Sequence, residues 1–340
     1  MGEKTSSLSA REITQCRVCG NKELIPCVDI GDQYLSSVFP ENLEYRASAS
    51  RYPLKLVLCR KREEKTHADE SMASCGLLQL GHRFDLTPMY DAYPYTSATN
   101  SSMTQILRDV AESGRAFKHL QPDDVILDIG GNDGTLLSFF QDDPYQLINI
   151  DPAKNVASLV NSPRYHAVNS FFNESAFTSV SSKKAKLIFS IAMFYHLDDP
   201  LKLARAVAAC LDDEGVWIIQ MAYLPAMIRT NMYDNIVHEH AGYYATHQVK
   251  WIMEAVGLEV FDVLENDVYG GSFRIFVKKR GCTRFTSSER LHATLERELS
   301  DGLFVEATYR AFMKRIEKTR VDLLALVKHI AEAHGGRAWC

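Results

Sequence analysis

Four short apolar runs, separated by helix-like stretches, dominate the middle of the chain: VILDIG (125–130), YQLINID (145–151), AKLIFSIA (185–192) and GVWIIQMA (215–222). Runs that lack polar alternation suit strands buried on both faces, and helical connections between them imply parallel neighbours. Residues 86–280 are therefore expected to form an α/β domain around a mostly parallel sheet. LEVFDVLEN (258–266) and SFRIFVKK (272–279), joined by DVYGG, suit an antiparallel edge pair. The glycines Gly270 and Gly271 permit the tight turn between these strands, and Arg274 reads as a surface charge. Residues 1–85 lack helical periodicity. Residues 281–340 are expected to be helical, because apolar positions recur at three- and four-residue steps (Leu291, Leu295, Leu299; Leu323, Leu326, Ile330).

Charge and hydropathy narrow the function classes. Lys and Arg total 38 against 43 Asp and Glu, a formal net charge of −5, where a general nucleic-acid binder carries a basic excess. No apolar run approaches the roughly 18 residues of a membrane span. The longest, 215–228, is interrupted by Gln220 and Pro225, and the first fifteen residues lack the apolar middle of a secretory signal. A soluble cytoplasmic protein is expected, with neither nucleic acid nor membrane as partner.

Five of the eight cysteines precede residue 76, and a reducing compartment argues against a disulfide framework. Cys16-Arg17-Val18-Cys19-Gly20 has the form of a zinc knuckle, with two thiolates on a turn that glycine makes tight. Cys59 and Cys75 are the best remaining ligands, although fifteen residues separate them where two are usual. The intervening KREEKTHADESMAS is charged and reads as a solvated loop, and loop closure penalises added length slowly. Cys27, in LIPCVDI, reads as a buried strand residue. Four thiolates leave no open coordination position, so a zinc ion here is expected to be structural.

DIGGNDGT (128–135) follows the first central strand and opens a helix-like segment. Asn132 stands where the dinucleotide fingerprint needs its second glycine, so a nicotinamide cofactor fits poorly. An acid ending the strand before a glycine turn suits S-adenosylmethionine, which presents a sulfonium and an amino acid instead of a pyrophosphate. Candidate cofactor residues are Asp128, Gly130, Gly131, Asn132, Asp133 and Gly134, together with Asp151. The last ends the next strand, where an acid meets ribose hydroxyls in doubly wound nucleotide sites. Downstream lie AMFYHLDDP, with His196, and YDNIVHEHAGYY, with His238, Glu239 and His240. They follow strand ends, where ligands of open α/β sheets bind. In an extended segment both histidines of His-Glu-His share one face, as a metal pair or as a base beside an orienting carboxylate.

These pieces together resemble the S-adenosylmethionine-dependent C-methyltransferases that act on nucleotide-linked keto-deoxysugars. CRVCG, CGLLQL (75–80), YDAYPY (90–95), DIGGNDGTLL, the Tyr195-His196 turn, DNIVHEHAGYY and YGGSFR (269–274) occur in the family's order and cover most of the chain. The resemblance implies a zinc-binding domain (1–85), a Rossmann-like class I methyltransferase domain (86–280) and the helical start of a substrate domain (281–340). It makes Cys16, Cys19, Cys59 and Cys75 the zinc ligands, His240 the general base with Glu239 as motif neighbour, and His196 a second active-site histidine. Tyr93 or Tyr95 supplies a substrate-side hydroxyl, and Val237 stands where some members carry tyrosine. The chain stops at HGGRAWC, about where the family enters a second Rossmann-like unit. A truncated C-terminal domain is thus expected, with an exposed apolar face able to form a homo-oligomer.

The implied reaction is methylation of a ring carbon, C3 of a 4-keto-2,6-dideoxyhexose bound to dTDP, through an enolate that His240 generates. Two alternatives stand beside it: an O- or N-methyltransferase for another small molecule, and an inactive or noncatalytic protein that retains cofactor binding.

Overall fold

The computed structural model describes residues 10–36, 50–60, 74–85, 95–118, 120–154 and 162–333. The N-terminal part contributes strands β1 (Arg11–Glu12), β2 (Leu24–Tyr34), β3 (Arg51–Cys59), β4 (Leu78–Leu80) and β5 (His82–Arg83). Helix α1 (Ser101–Arg115) leads into β6 (Val125–Ile129), α2 (Thr135–Ser138), β7 (Gln146–Ile150), β8 (Tyr165–Val168), α3 (Glu174–Thr178) and β9 (Ala185–Ile191). Then come α4 (Pro200–Cys210), β10 (Leu211–Ala222), α5 (Leu224–Thr230), β11 (Gly242–Tyr243), α6 (Thr246–Ala255), β12 (Leu258–Asn266) and β13 (Ser272–Lys279). Helices α7 (Glu289–Ser300) and α8 (Glu306–Ala333) end the described chain.

Seven strands form the central sheet in the order β12-β13-β10-β9-β6-β7-β8. The five from β10 to β8 are parallel, while β13 runs antiparallel to both β10 and β12. The four apolar runs become β6, β7, β9 and β10. Val125, Leu127 and Ile129 pack into one core and Ile126 into the other, the period of two that a pleated strand imposes. Both faces are apolar because both are covered, α1 supplying Met103, Leu107, Val110 and Ala111 on one side. Only β12 is an edge of the pair expected at the edge, since β13 inserts between it and β10.

Arg274 corrects one expectation. It lies on β13 and is buried, not a surface charge. Its Nε donates to Gln220 Oε1 at 2.8 Å and its Nη2 pairs with Asp109 Oδ2 at 2.7 Å, which bolts β13 and β10 to α1. A guanidinium's fixed fork satisfies several acceptors at once, so Arg can be buried where Lys could not make these bonds.

Strands β2, β3 and β4 form a second sheet, β11-β4-β3-β2, whose first member comes from residue 242 onward, while β1 pairs with β5. Strand β11 thus crosses the division at residue 85 that the sequence suggests. The core on that face of the central sheet continues into Val18, Leu56, Leu58, Leu78 and Leu80. Buried Arg17 fastens the junction. Its Nε donates to Asp198 Oδ1 at 3.0 Å and its Nη groups donate to the carbonyls of Leu80 and His82.

The C-terminal helices dock by polar capping as well as packing. Glu298 of α7 is fully buried and accepts from Tyr223 Oη at 2.8 Å, from the Thr246 and His247 N–H groups at 2.7 and 3.1 Å, and pairs with His247 Nδ1 at 2.7 Å. Ala245 precedes α6 and has no side chain to cap it, so a carboxylate from another helix satisfies the orphan donors. Tyr309, Phe312 and Ile316 of α8 are buried, whereas Leu323, Leu324 and Leu326 stay 51, 60 and 53% exposed. That is the exposed apolar stretch the periodicity suggests. No helix among the described residues is long and apolar enough to cross a membrane.

Candidate active site

The four cysteines come from three places: the Cys16–Cys19 turn, the end of β3 (Cys59) and the approach to β4 (Cys75). Their sulfur atoms lie within 4.8 Å of one another, with Cys16–Cys75 and Cys19–Cys59 both at 3.5 Å. A tetrahedral Zn–S bond of about 2.3 Å sets sulfurs about 3.8 Å apart, so this donor set fits one zinc ion with no position left for substrate. The insert 61–73 lies outside the described residues. Antiparallel pairing of β3 with β4 brings Cys59 and Cys75 together whatever the insert's length. Cys27 is buried in β2, and desolvation pushes its thiol up to about 11.

A cavity of about 890 Å³ opens at the C-terminal ends of the parallel strands. The glycine loop, Asp128, Asp151 and Met193 line one part of it. His196, His238, Glu239, His240 and Tyr195 line another, with Arg11, His82, Arg83 and Phe84 of the N-terminal region along the wall.

At the loop, β6 ends in Ile129 and the chain turns through Gly130 at φ 69°, a conformation glycine adopts without strain. Asp128 is buried, and among the described residues the charges that act on it are carboxylates. Burial, with Asp151 and Asp133 nearby, pushes its carboxyl up to about 8. Asn149 Oδ1 is buried without a hydrogen-bond partner among the described residues. Asp128 lines the cavity beside the glycine loop, and a ligand carrying an ammonium suits that carboxyl, so the residues fit S-adenosylmethionine. Asp151 accepts from Asn132 N–H at 2.9 Å and Ala153 N–H at 2.8 Å, which holds its carboxylate at the cavity wall. Asn132 and Asp133 direct their side chains elsewhere: Asn132 Oδ1 accepts from Ser97 N–H at 3.0 Å and Asp133 Oδ2 from Ala98 N–H at 2.8 Å. Gly134 caps α2 in the left-handed region.

His240 Nδ1 lies 2.8 Å from the Asn235 carbonyl. A carbonyl only accepts, so Nδ1 carries the hydrogen and Nε2 of the neutral ring holds the lone pair. The orienting group is this carbonyl, not Glu239, whose Oε1 has no partner among the described residues. Residues 238–240 form a turn, so His-Glu-His does not present the alternating faces of a strand. His238 is buried instead against Phe84, with Nε2 3.4 Å from the Tyr52 carbonyl and Ser36 N–H 3.4 Å from Nδ1.

His196 sits on a single helical turn after β9 and stacks on His240, ring centroids 5.3 Å apart at 22°. Burial lowers His240 to about 4, and burial with the neighbouring His240 lowers His196 to about 3. Both imidazoles are therefore neutral near pH 7. Tyr195 packs 4.3 Å from the His240 ring, a neighbour that the motif contained but the spacing did not single out. Asn235 left no signal, because its contribution is a backbone carbonyl. Tyr95 lines the cavity, as does Tyr269. Tyr93 lies outside the described residues.

Three family models match in sequence order: "Putative zinc binding domain" over residues 16–90, "Methyltransferase domain" over 103–263, and "C-methyltransferase C-terminal domain" over 267–337. Together these domains mark the chain as an S-adenosylmethionine-dependent C-methyltransferase. The C-methyltransferase NovU from Streptomyces niveus is 26% identical to this methyltransferase over 322 residues, 94% of this chain and 73% of that protein. Among solved structures, the plantazolicin methyltransferase BpumL aligns at a TM-score of 0.43 with 13% identity, covering 54% of this chain and 88% of that one. The magnesium protoporphyrin IX methyltransferase ChlM from Synechocystis PCC 6803 aligns at 0.41 with 12% identity, covering 54% and 88%.

Proposed function

We propose that this C-methyltransferase methylates the ring carbon beside the ketone of a nucleotide-linked keto-deoxysugar, C3 of a 4-keto-2,6-dideoxyhexose on dTDP, by way of an enolate. One observation carries the reading: a neutral imidazole with its Nε2 lone pair available lines the same cavity as the glycine loop. Carbon methylation next to a ketone needs a base before it needs a methyl donor, because the carbon becomes nucleophilic only after losing its proton. Methylation of oxygen or nitrogen does not require a carbon acid to be deprotonated.

In this reading S-adenosylmethionine, when bound, supplies an electrophilic methyl group. Asp128, the loop glycines and Asp151 hold it, Asp128 facing the ammonium and Asp151 the ribose. His240 Nε2 takes the proton from C3, while the Asn235 carbonyl holds the ring in the required tautomer. His196 or a tyrosine hydroxyl, Tyr95 among them, donates to the oxygen where negative charge develops. A positioned base of this kind contributes about 10²–10⁴-fold. Cys16, Cys19, Cys59 and Cys75 would hold a zinc ion that braces the wall Arg17 ties to the catalytic domain.

The test is deuterium exchange at C3 of the dTDP-linked 4-keto-2,6-dideoxyhexose in deuterated water with S-adenosylhomocysteine present. Wild-type enzyme washes deuterium into C3, and His240→Gln slows that exchange about 10²–10⁴-fold while binding S-adenosylhomocysteine as before. Undiminished exchange in His240→Gln removes His240 from the base role. Methyl transfer to oxygen or nitrogen with no C–H exchange replaces the reaction by the O- or N-methylation alternative.

A further inference from the structure

We propose that Asn132 is a positioning residue that couples the cofactor loop to the tyrosine segment on the substrate side. The proposal rests on the cofactor reading of the glycine loop given above. Two halves of one residue face two different parts of the site. The Asn132 backbone belongs to the cofactor side: its N–H donates to Asp151 Oδ2 at 2.9 Å and its carbonyl accepts from Asn149 Nδ2 at 3.0 Å. Its side chain belongs to the other side. Oδ1 accepts from Ser97 N–H at 3.0 Å and lies 3.4 Å from Ser97 Oγ, while Nδ2 donates to the Tyr95 carbonyl at 3.1 Å.

The segment needs those bonds. Residues Ser97–Thr99 form a single helical turn whose preceding residue, Thr96, makes no side-chain cap. Its first N–H groups are orphans that a cap ordinarily satisfies. Asn132 takes the Ser97 N–H and Asp133 takes the Ala98 N–H at 2.8 Å. The cofactor loop therefore caps the tyrosine segment from outside, and the capped turn fixes the backbone of Tyr95, whose side chain lines the cavity with Tyr269.

Backbone conformation argues that the side chain is the reason for asparagine. Asn132 has φ 51°, a left-handed conformation that glycine adopts at least as readily. A third glycine after Gly130 and Gly131 would make the same turn and lose every contact to Tyr95 and Ser97. Whatever holds Asp151 and the loop then also holds Tyr95, so cofactor binding completes the substrate side of the cavity. Couplings between sites of this sort are about 5- to 150-fold.

The experiment is amide hydrogen exchange of residues 95–99 with and without S-adenosylhomocysteine, beside calorimetric titration of the same ligand. In the wild type, ligand slows exchange at Ser97 and Ala98 by about 5- to 150-fold. Asn132→Gly still binds S-adenosylhomocysteine, weakened by no more than the coupling itself, about 150-fold, but loses that slowing at Ser97. Asn132→Asp, which keeps the acceptor for Ser97 N–H, recovers it. Slowing that persists in Asn132→Gly, or ligand binding to the wild type with no slowing, overturns the proposal while leaving the cofactor reading intact. A loss of ligand affinity in Asn132→Gly of more than about 150-fold, beyond any reciprocal coupling, overturns it as well, by making Asn132 a cofactor contact. Absence of binding to the wild type overturns the cofactor reading and this proposal together.

Discussion

Gly131→Ala isolates the close approach on which the cofactor loop depends. A Cβ built on Gly131 lies 2.5 Å from Asn149 Oδ1, 2.6 Å from Asp128 Oδ2 and 2.7 Å from Asp128 Cγ. All three separations are below the 3.0 Å that real Cβ contacts respect. The φ of Gly131 is outside the left-handed region, unlike the 69° of Gly130, so the clash and not backbone strain sets the cost. Neither neighbour can give way cheaply. Asp128 and Asn149 are buried, and Asn149 is held by its bond to the Asn132 carbonyl. The loop must instead shift toward the cavity, into the volume a ligand needs. Overpacking of this kind costs about 1–3 kcal/mol. Falling on affinity, that raises the dissociation constant for S-adenosylhomocysteine by about 5- to 150-fold. Isothermal titration reads the constant, with zinc content as the control for an intact N-terminal domain. A folded Gly131→Ala enzyme that binds the ligand as tightly as wild type would refute the steric reasoning.

Two further outcomes follow from the site. Because burial holds His240 at about 4 instead of its ordinary 6.5, the free enzyme keeps its base unprotonated down to mildly acid pH. The plot of kcat/KM against pH should then be flat on its acid side down to about pH 5.5, and an acid limb centred between about 6 and 7 would contradict the assignment. The same depression has a stability consequence with a definite sign. Between about 6.5 and 4 the unfolded chain binds a proton that the folded one refuses, so stability falls as pH drops through that window, and chemical denaturation across it measures the slope. Cys16→Ser should lower zinc from one ion per chain toward none and lower the melting temperature, whereas Cys27→Ser leaves zinc content unchanged. Elemental analysis decides, and full zinc occupancy in Cys16→Ser would remove the four-cysteine site.

Much of the architecture was legible in the residues because burial on both faces leaves a mark that local sequence carries. The apolar runs at 125–130, 145–151, 185–192 and 215–222 gave the parallel strands, and the glycines of 128–135 gave the turn that follows the first. The zinc ligands were readable as residue types at Cys16 and Cys19. Their union with Cys59 and Cys75 was decided by antiparallel pairing of β3 with β4, a contact between segments separated by the long insert. Arg274 and Glu298 look like surface charges in one dimension, since nothing local reveals that Asp109 or the uncapped start of α6 awaits them.

The chemistry of the site divides in the same way. Sequence determined which groups are available: three imidazoles, a tyrosine run, an acid before a glycine turn. Only the tertiary structure decided what each one faces. It set the His240 tautomer through a backbone carbonyl, which every residue possesses and no motif can mark. It set His238 in aromatic contact with Phe84 and Tyr52 at the cavity wall, and aimed Asn132 and Asp133 at the Ser97 turn. The physical reason is that ionisation and hydrogen bonding at a buried group depend on neighbours a few ångströms away, and the chain assembles those neighbours from residues distant in sequence.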